Sequence, residues 1–185
     1  MGKAHALVFL AEGAEEMEVT ITVDVLRRAG IEVTLAGADG VGSVVASRGI
    51  TLTPDAALDA VTGPFDIVVL PGGARGAERL SRVPAVGTWL KRHEAEGKWV
   101  GAICAAPIAF HHHGVFSGYT VTSYPSVKDV VGAWGSWVDR RVVVDRKLIT
   151  SQGPGTAFEF ALRIVRELLG AGAERDTRGP LLLEH

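Results

Sequence analysis

The chain has 185 residues, is 47% hydrophobic and 22% charged, and sets 19 Lys and Arg against 21 Asp and Glu for a formal net charge of -2. That length and composition fit one ordinary globular domain with a sizeable core, and the small net charge argues against a nucleic-acid or membrane surface as the main partner. The single cysteine forms no intrachain disulfide, which suits a reducing compartment.

The first apolar stretch, Ala6-Leu7-Val8-Phe9-Leu10-Ala11, is too short for a signal-peptide core or a membrane span and runs at once into acids. Position 6 is Ala where a myristoylation signal after Met1-Gly2 has Ser or Thr. A cytoplasmic protein is expected. Residues 5–10 read as a first strand, 31–36 as a second, 67–70 as a third and 99–103 as a fourth. Each is nearly continuous in apolar character, as in strands buried on both faces of a parallel sheet. Residues 15–28 read as a helix with Met17, Ile21, Val25 and Leu26 on one face and Gly30 as its stop. Residues 44–54 depart from the alternation and read as a small antiparallel excursion around Arg48-Gly49. A second helix spans 83–96, with Pro84 in its first turn and Val86, Leu90 and His93 at helical spacing.

Farther on, 119–122, 141–144 and 148–150 read as strands, the last two joined by a turn at Asp145-Arg146. A helix over 156–169 carries the stripe Phe160, Ile164, Val165 and Leu168 and ends at Gly170. Residues 170–173 read as a flexible join to a short C-terminal element, 171–185, of one domain covering 1–185. The βαβα order predicts a doubly wound α/β sandwich, a mostly parallel sheet with helices on both faces and right-handed crossovers. Sites in such sheets form at the carboxyl ends of strands near the switch point, which nominates the loops 12–18 and 71–73 and Cys104.

Cys104 sits where the fourth strand gives way to Ala105-Ala106-Pro107, with Gly101 and Ala102 before it. Small residues on both sides permit the tight bend of a nucleophile elbow. A helix N-terminus there would lower the thiol pKa and raise the thiolate fraction. The other reading is a small buried hydrophobe. Gly72 and Gly73 can bring bare N–H groups to a substrate and hold an oxyanion beside Cys104, or form a plain Pro-Gly turn. Glu18 lies among Glu12, Glu15 and Glu16 at a helix start, where acids are favourable in any case. Buried beside a thiolate, its carboxyl would stay protonated and shuttle protons.

The runs Ala11-Glu12-Gly13-Ala14-Glu15-Glu16-Met17-Glu18, Val69-Leu70-Pro71-Gly72-Gly73, Ala102-Ile103-Cys104-Ala105-Ala106-Pro107 and 150–156 (TSQGPGT) together resemble the ThiJ/PfpI superfamily, and within it the branch of the Parkinsonism-associated deglycase and its bacterial YajL relatives. The resemblance implies a flavodoxin-like fold, a homodimer, a reactive Cys104 paired with a protonated Glu18, and an oxyanion or anion pocket of N–H groups around Gly73 and Ala105 with Arg48 near it. It also brings Asp24 towards a dimer contact or Arg48. Human-like members carry histidine before the proline of the segment 122–125, where this chain has Tyr124. With an ordinary pKa near 10, Tyr124 is a poor general base at neutral pH and reads as an auxiliary hydrogen-bond or packing group.

No other imidazole replaces that histidine. His111, His112 and His113 point about 100° apart on a helix and cannot share one metal, so no metal site is assigned to them. They lie about 10 to 14 Å beyond Cys104 along a helix. His93 belongs to another helix, structural or solvated. Trp134 and Trp137 read as packing groups. Ala105 in place of a histidine after the nucleophile weakens a protease reading, because amide hydrolysis needs an acid for its leaving group. The resemblance implies cofactor-independent glyoxalase or deglycase activity on methylglyoxal, a small dicarbonyl, or on its early adducts with glycated protein. The alternative is a redox sensor and chaperone that uses oxidation of the same cysteine, with Arg27, Arg28 and Arg48 as sources of positive potential.

Overall fold

The computed structural model describes residues 2–183. Residues 1, 184 and 185 of the expected span 1–185 lie outside the described residues. Strand β1 (His5–Leu10) lies inside the sheet, with a strand on either side. Ala6, Val8 and Leu10 face one hydrophobic cluster, Leu7 and Phe9 the other, and all five are fully buried. Continuous apolar character follows from that two-sided burial, with each large side chain contributing about 1.5–3 kcal/mol.

Helix α1 (Glu16–Arg28) leads to β2 (Glu32–Gly37), one residue later than expected, and β2 pairs parallel with β1. The hairpin β3 (Val44–Val45) and β4 (Thr51–Leu52) is the expected antiparallel excursion, and β5 (Ala56–Ala57) returns to the sheet edge. Strand β6 (Ile67–Leu70) crosses to the opposite side of β1. It is followed by α2 (Ala74–Arg82), α3 (Pro84–Glu96) and β7 (Trp99–Ile103). After α4 (Ile108–His113), the short β8 (Thr120–Val121), α5 (Lys128–Gly132) and β9 (Ser136–Trp137) form a side excursion in which β8 pairs with β9 and not with the main sheet. Strands β10 (Val142–Asp145) and β11 (Leu148–Ser151) complete the order β10-β11-β7-β6-β1-β2-β5, in which only β10 runs antiparallel. Helices α6 (Ala157–Leu169) and α7 (Ala171–Arg178) close the chain.

Helices α1 and α6 cover one face of the sheet, while α2, α3 and α4 cover the other. This is the doubly wound, flavodoxin-like α/β arrangement. The chain reverses direction across the sheet between β1 and β6, so the loops after β1, β6 and β7 meet at the carboxyl edge, where such folds place their sites.

Three local expectations are corrected, and one unassigned segment proves to be a helix. Met17 is 51% exposed, because the buried face of α1 is turned one position on, through Glu18, Val19, Thr22, Val23, Val25 and Leu26. Residues 74–82, assigned to no element from the sequence, form α2, which buries the small residues Gly76, Ala77 and Ser81 beside Leu80. The turn after β10 is carried by Arg146, in the left-handed region at φ 53, with Asp145 still paired in the strand. Residues 171–173 open α7 and are no flexible join. Among the described residues no helix is long and apolar enough to cross a membrane.

Candidate active site

Cys104 directly follows β7 and has φ 63, a left-handed conformation that costs a non-glycine residue about 1–2 kcal/mol. Two backbone bonds hold it there: its N–H donates to Ser151 O at 2.9 Å, and its carbonyl accepts from Tyr124 N–H at 2.8 Å. The elbow is therefore fixed from β11 on one side and from the 122–125 segment on the other. Helix α4 begins only at Ile108, with Ala106 and Ile108 donating back to Ile103 and Ala105 in a tight intervening turn. The expected lowering of the thiol by a helix N-terminus does not hold, since three residues, 105–107, separate Cys104 from the helix. The group beside the sulfur is a carboxyl.

That carboxyl is Glu18, which is fully buried. Helix α1 starts where the chain leaves β1; Glu15 caps it by accepting the Glu18 N–H at 2.9 Å, so Glu18 lies in the first turn and faces inward. Glu18 Oε2 accepts the Gly72 N–H at 2.7 Å, whereas Oε1 has no nitrogen or oxygen partner among the described residues. Burial pushes the Glu18 carboxyl up to about 7, with the Gly72 N–H and the Cys104 thiol opposing that rise. Burial and the Glu18 charge push the Cys104 thiol up to about 12, while the N–H groups of Gly73 and Ala105 at the sulfur pull it down. The two groups are coupled: burial favours the protonated form of each, and the charge of Glu18 further opposes ionisation of the thiol.

Gly72 and Gly73 are required by close approach. A Cβ on Gly72 would lie 2.5 Å from Cys104 Cβ, and one on Gly73, at φ 84, would lie 2.4 Å from Gly13 O. Above the pair opens a cleft of about 570 Å³, bordered by Glu15, Arg48, Arg75, Cys104, Ile108 and Tyr124 among others. Arg48 enters from the hairpin turn between β3 and β4, which Glu16 anchors: Ser47 Oγ donates to Oε2 and Arg48 N–H to Oε1, each at 2.7 Å. Burial raises the Glu16 carboxyl, and bonds from its own N–H, Ser47, Arg48 and Ile50 outweigh it, leaving Glu16 below the ordinary range. Tyr124 borders the cleft at 46% exposure.

Of the expected residues, Gly73, Cys104, Ala105, Arg48 and Tyr124 border one cleft, and Glu18 and Gly72 lie buried behind Cys104. Arg27 and Arg28 do not contribute positive potential to it, because Arg27 pairs with Asp55 at 2.6 Å and Arg28 with Asp24 at 2.7 Å. The latter pair joins Asp24 to Arg28 one turn on within α1. Among the described residues no histidine borders the cleft: His93 Nδ1 meets Trp99 O, His112 Nδ1 meets Ile108 O and His113 Nε2 meets Leu80 O, each at 2.9 Å. Trp134 and Trp137 donate their indole N–H groups to Val115 O and Ser123 Oγ, as packing groups do. Sequence reasoning missed Arg75 and the anchoring role of Glu16. The spacing of Glu16 before a Ser-Arg turn gives no local signal, since 31 residues separate Glu16 from Ser47.

Comparison with known proteins finds similarity along nearly the whole chain. The model of the DJ-1/PfpI family matches residues 4–167. The chain is 48% identical over 188 residues to the Parkinson disease protein 7 homolog of Danio rerio, covering all of both chains. It is 41% identical over 183 residues to the glutathione-independent glyoxalase DJR-1.2 of Caenorhabditis elegans, covering 98% of this chain and 97% of that protein. The crystal structure of Drosophila melanogaster DJ-1beta superposes with a TM-score of 0.98 at 47% identity, covering all of both chains.

Proposed function

Because this chain belongs to the DJ-1/PfpI family, we propose that it is a cysteine-dependent glyoxalase of the stress-protection type, acting on methylglyoxal and on its early adducts with protein. The observation that carries the reading is the Cys104–Glu18 pair, a thiol and a buried carboxyl that share protons at the floor of the cleft and lose the first near neutral pH. A general acid–base works best when its pKa lies near the working pH.

Conversion of methylglyoxal to lactate moves hydrogen from the aldehyde carbon to its neighbour, so one carbon is oxidised, the other is reduced and water is consumed. The Cys104 sulfur bonds to the aldehyde carbon and its proton reaches the carbonyl oxygen through Glu18, giving a hemithioacetal. Glu18 then takes the proton from that carbon, and the electron pair passes to the neighbouring carbonyl as an enediol. Return of the proton to the second carbon leaves a thioester on Cys104. Water cleaves the sulfur–carbon bond, lactate leaves and the thiol is restored. The N–H groups of Gly73 and Ala105 favour negative charge at the sulfur and at the adjacent oxygen, the work of an oxyanion hole. Arg48 adds positive potential at the cleft. No electron carrier is consumed in these steps.

The reading includes a cytoplasmic homodimer, supported by the exposed apolar side chains Met17 and Ile50, at 51% and 55% exposure. Lactate measured on incubating the purified protein with methylglyoxal tests the activity. The wild type forms lactate, and Cys104→Ala and Glu18→Ala do not; wild-type lactate no higher than the Cys104→Ala background would refute the proposal.

A further inference from the structure

The cleft carries a charge that chemistry on a neutral dicarbonyl does not use. Helix α2 bears three arginines. Arg79 is paired with Asp39, and Arg82 with Glu78 at 2.6 Å. Arg75, which borders the cleft, has no hydrogen bond or ion pair among the described residues. The two carboxylates on the same cleft are committed to backbone: Glu12 Oε2 accepts the Val45 N–H at 3.1 Å and Glu15 Oε2 the Glu18 N–H at 2.9 Å. Arg48, the other cleft guanidinium, bonds only the carbonyl of its neighbour Ser47, at 3.3 Å.

The root of Arg75 is held in place. A Cβ built on Gly13 would meet Arg75 Cβ at 2.6 Å, so the arginine stem lies directly against the loop that precedes α1. Arg75 follows by two residues Gly73, whose N–H reaches the Cys104 sulfur, and two residues span at most about 7 Å of chain. A guanidinium rooted there and bordering the same cleft as Cys104 has the reach to meet the far end of a substrate whose carbonyl carbon is on the sulfur. Its planar fork suits a carboxylate, which it binds with two parallel bonds.

We propose that Arg75 is a specificity-determining residue that selects an α-oxoaldehyde carrying a terminal carboxylate over a neutral one. The carbonyl half of this substrate rests on the glyoxalase reading; the anionic half rests on Arg75. The test separates the two. Cys104 is alkylated with N-iodoacetylglycine and with its neutral amide, N-iodoacetylglycinamide, in the wild type, Arg75→Met and Arg75→Lys. Both reagents form the same sulfur–carbon bond and release iodide, so the ratio of their rates reports preference for the carboxylate with no turnover required. That ratio falls about fivefold in Arg75→Met, the upper range for a solvated ion pair, stays within about twofold in Arg75→Lys, and shrinks in the wild type at about 0.5 M salt. In parallel, kcat/KM for 4,5-dioxopentanoate exceeds that for methylglyoxal in the wild type, and Arg75→Met removes the excess through KM. An alkylation ratio unchanged in Arg75→Met overturns the proposal whatever the turnover. A fallen ratio with no product from either oxoaldehyde ends the glyoxalase reading and leaves the selectivity of Arg75 standing.

Discussion

Gly72 and Glu18 meet at 2.7 Å, the glycine N–H donating to Glu18 Oε2 at the floor of the cleft. Only glycine allows the contact. A Cβ at position 72 would lie 2.7 Å from that same oxygen, 2.5 Å from Cys104 Cβ and 2.9 Å from the Ile103 carbonyl, and the last is backbone that cannot turn aside. One residue therefore orients the carboxyl and forms the wall against which the thiol rests.

Gly72→Ala accordingly destabilises the fold by about 1–3 kcal/mol through overpacking. It also lowers lactate formation by about tenfold or more, because the carboxyl and the thiol are pushed apart. Urea unfolding and initial rates measure the two effects. A variant with wild-type stability and rate contradicts the described floor of the cleft.

Stability depends on pH through Glu18. Its carboxyl in the folded chain, at about 7, lies above the ordinary 4.5, so the folded state favours the protonated form. The resulting stabilisation is complete below 4.5 and is lost as pH rises through about 7. The gap corresponds to about 3 kcal/mol. Urea unfolding at pH 5 and pH 8 stays below the ordinary 9.0 of the Cys104 thiol, and comparison with Glu18→Gln cancels the contribution of His93, which burial lowers within the same interval. The wild type loses stability over that interval relative to Glu18→Gln, which has no proton to release. Equal changes in both proteins refute this.

Tyr124 contributes through its backbone, whose N–H holds the Cys104 carbonyl at 2.8 Å, and through its ring, against which Gly153 packs. Tyr124→Phe keeps both, and lactate formation stays within about threefold of wild type. A loss of about 100-fold, the scale of a general acid or base, would instead assign the phenol to proton transfer.

Legibility in the sequence followed burial and chemistry. Strands β1, β6 and β7 match their expected limits because two-sided burial leaves an unbroken apolar run. Helix α2 escaped because its buried face is made of Gly76, Ala77, Leu80 and Ser81, too small to form an apolar stripe, and because it abuts α3 at Val83-Pro84. Met17 reads as core by composition, yet the inward face of α1 is partly polar, with Glu18 and Thr22 buried in it. Cys104, Glu18, Gly72 and Gly73 were legible because each follows a strand end or opens a helix at the switch point, and because their motifs occur together. Arg75 was not: an arginine between small residues reads as solvated surface until the cleft beneath it is seen. The raised thiol was also hidden, since the start of α4 at Ile108 is set by the turn after Cys104.

Oxidation provides a separate check on the thiol. Oxidants attack the thiolate, and the Cys104–Glu18 pair must first lose a proton, so modification of Cys104 by mild peroxide accelerates between pH 6 and pH 8. Intact mass and peptide mapping locate the added oxygen on Cys104 before the exposed Met17. Oxidation of Met17 first, or a rate at Cys104 independent of pH, contradicts proton sharing within the pair.

The most direct test of Cys104 and Glu18 as one catalytic unit is the pH dependence of kcat/KM for lactate formation from methylglyoxal, in the wild type and in Glu18→Gln. In the wild type the rate rises through about 7, where the pair releases its first proton. Glu18→Gln lowers the rate by about 100-fold and abolishes that step. A Glu18→Gln protein that retains the wild-type rate and the same rise through neutral pH contradicts the account.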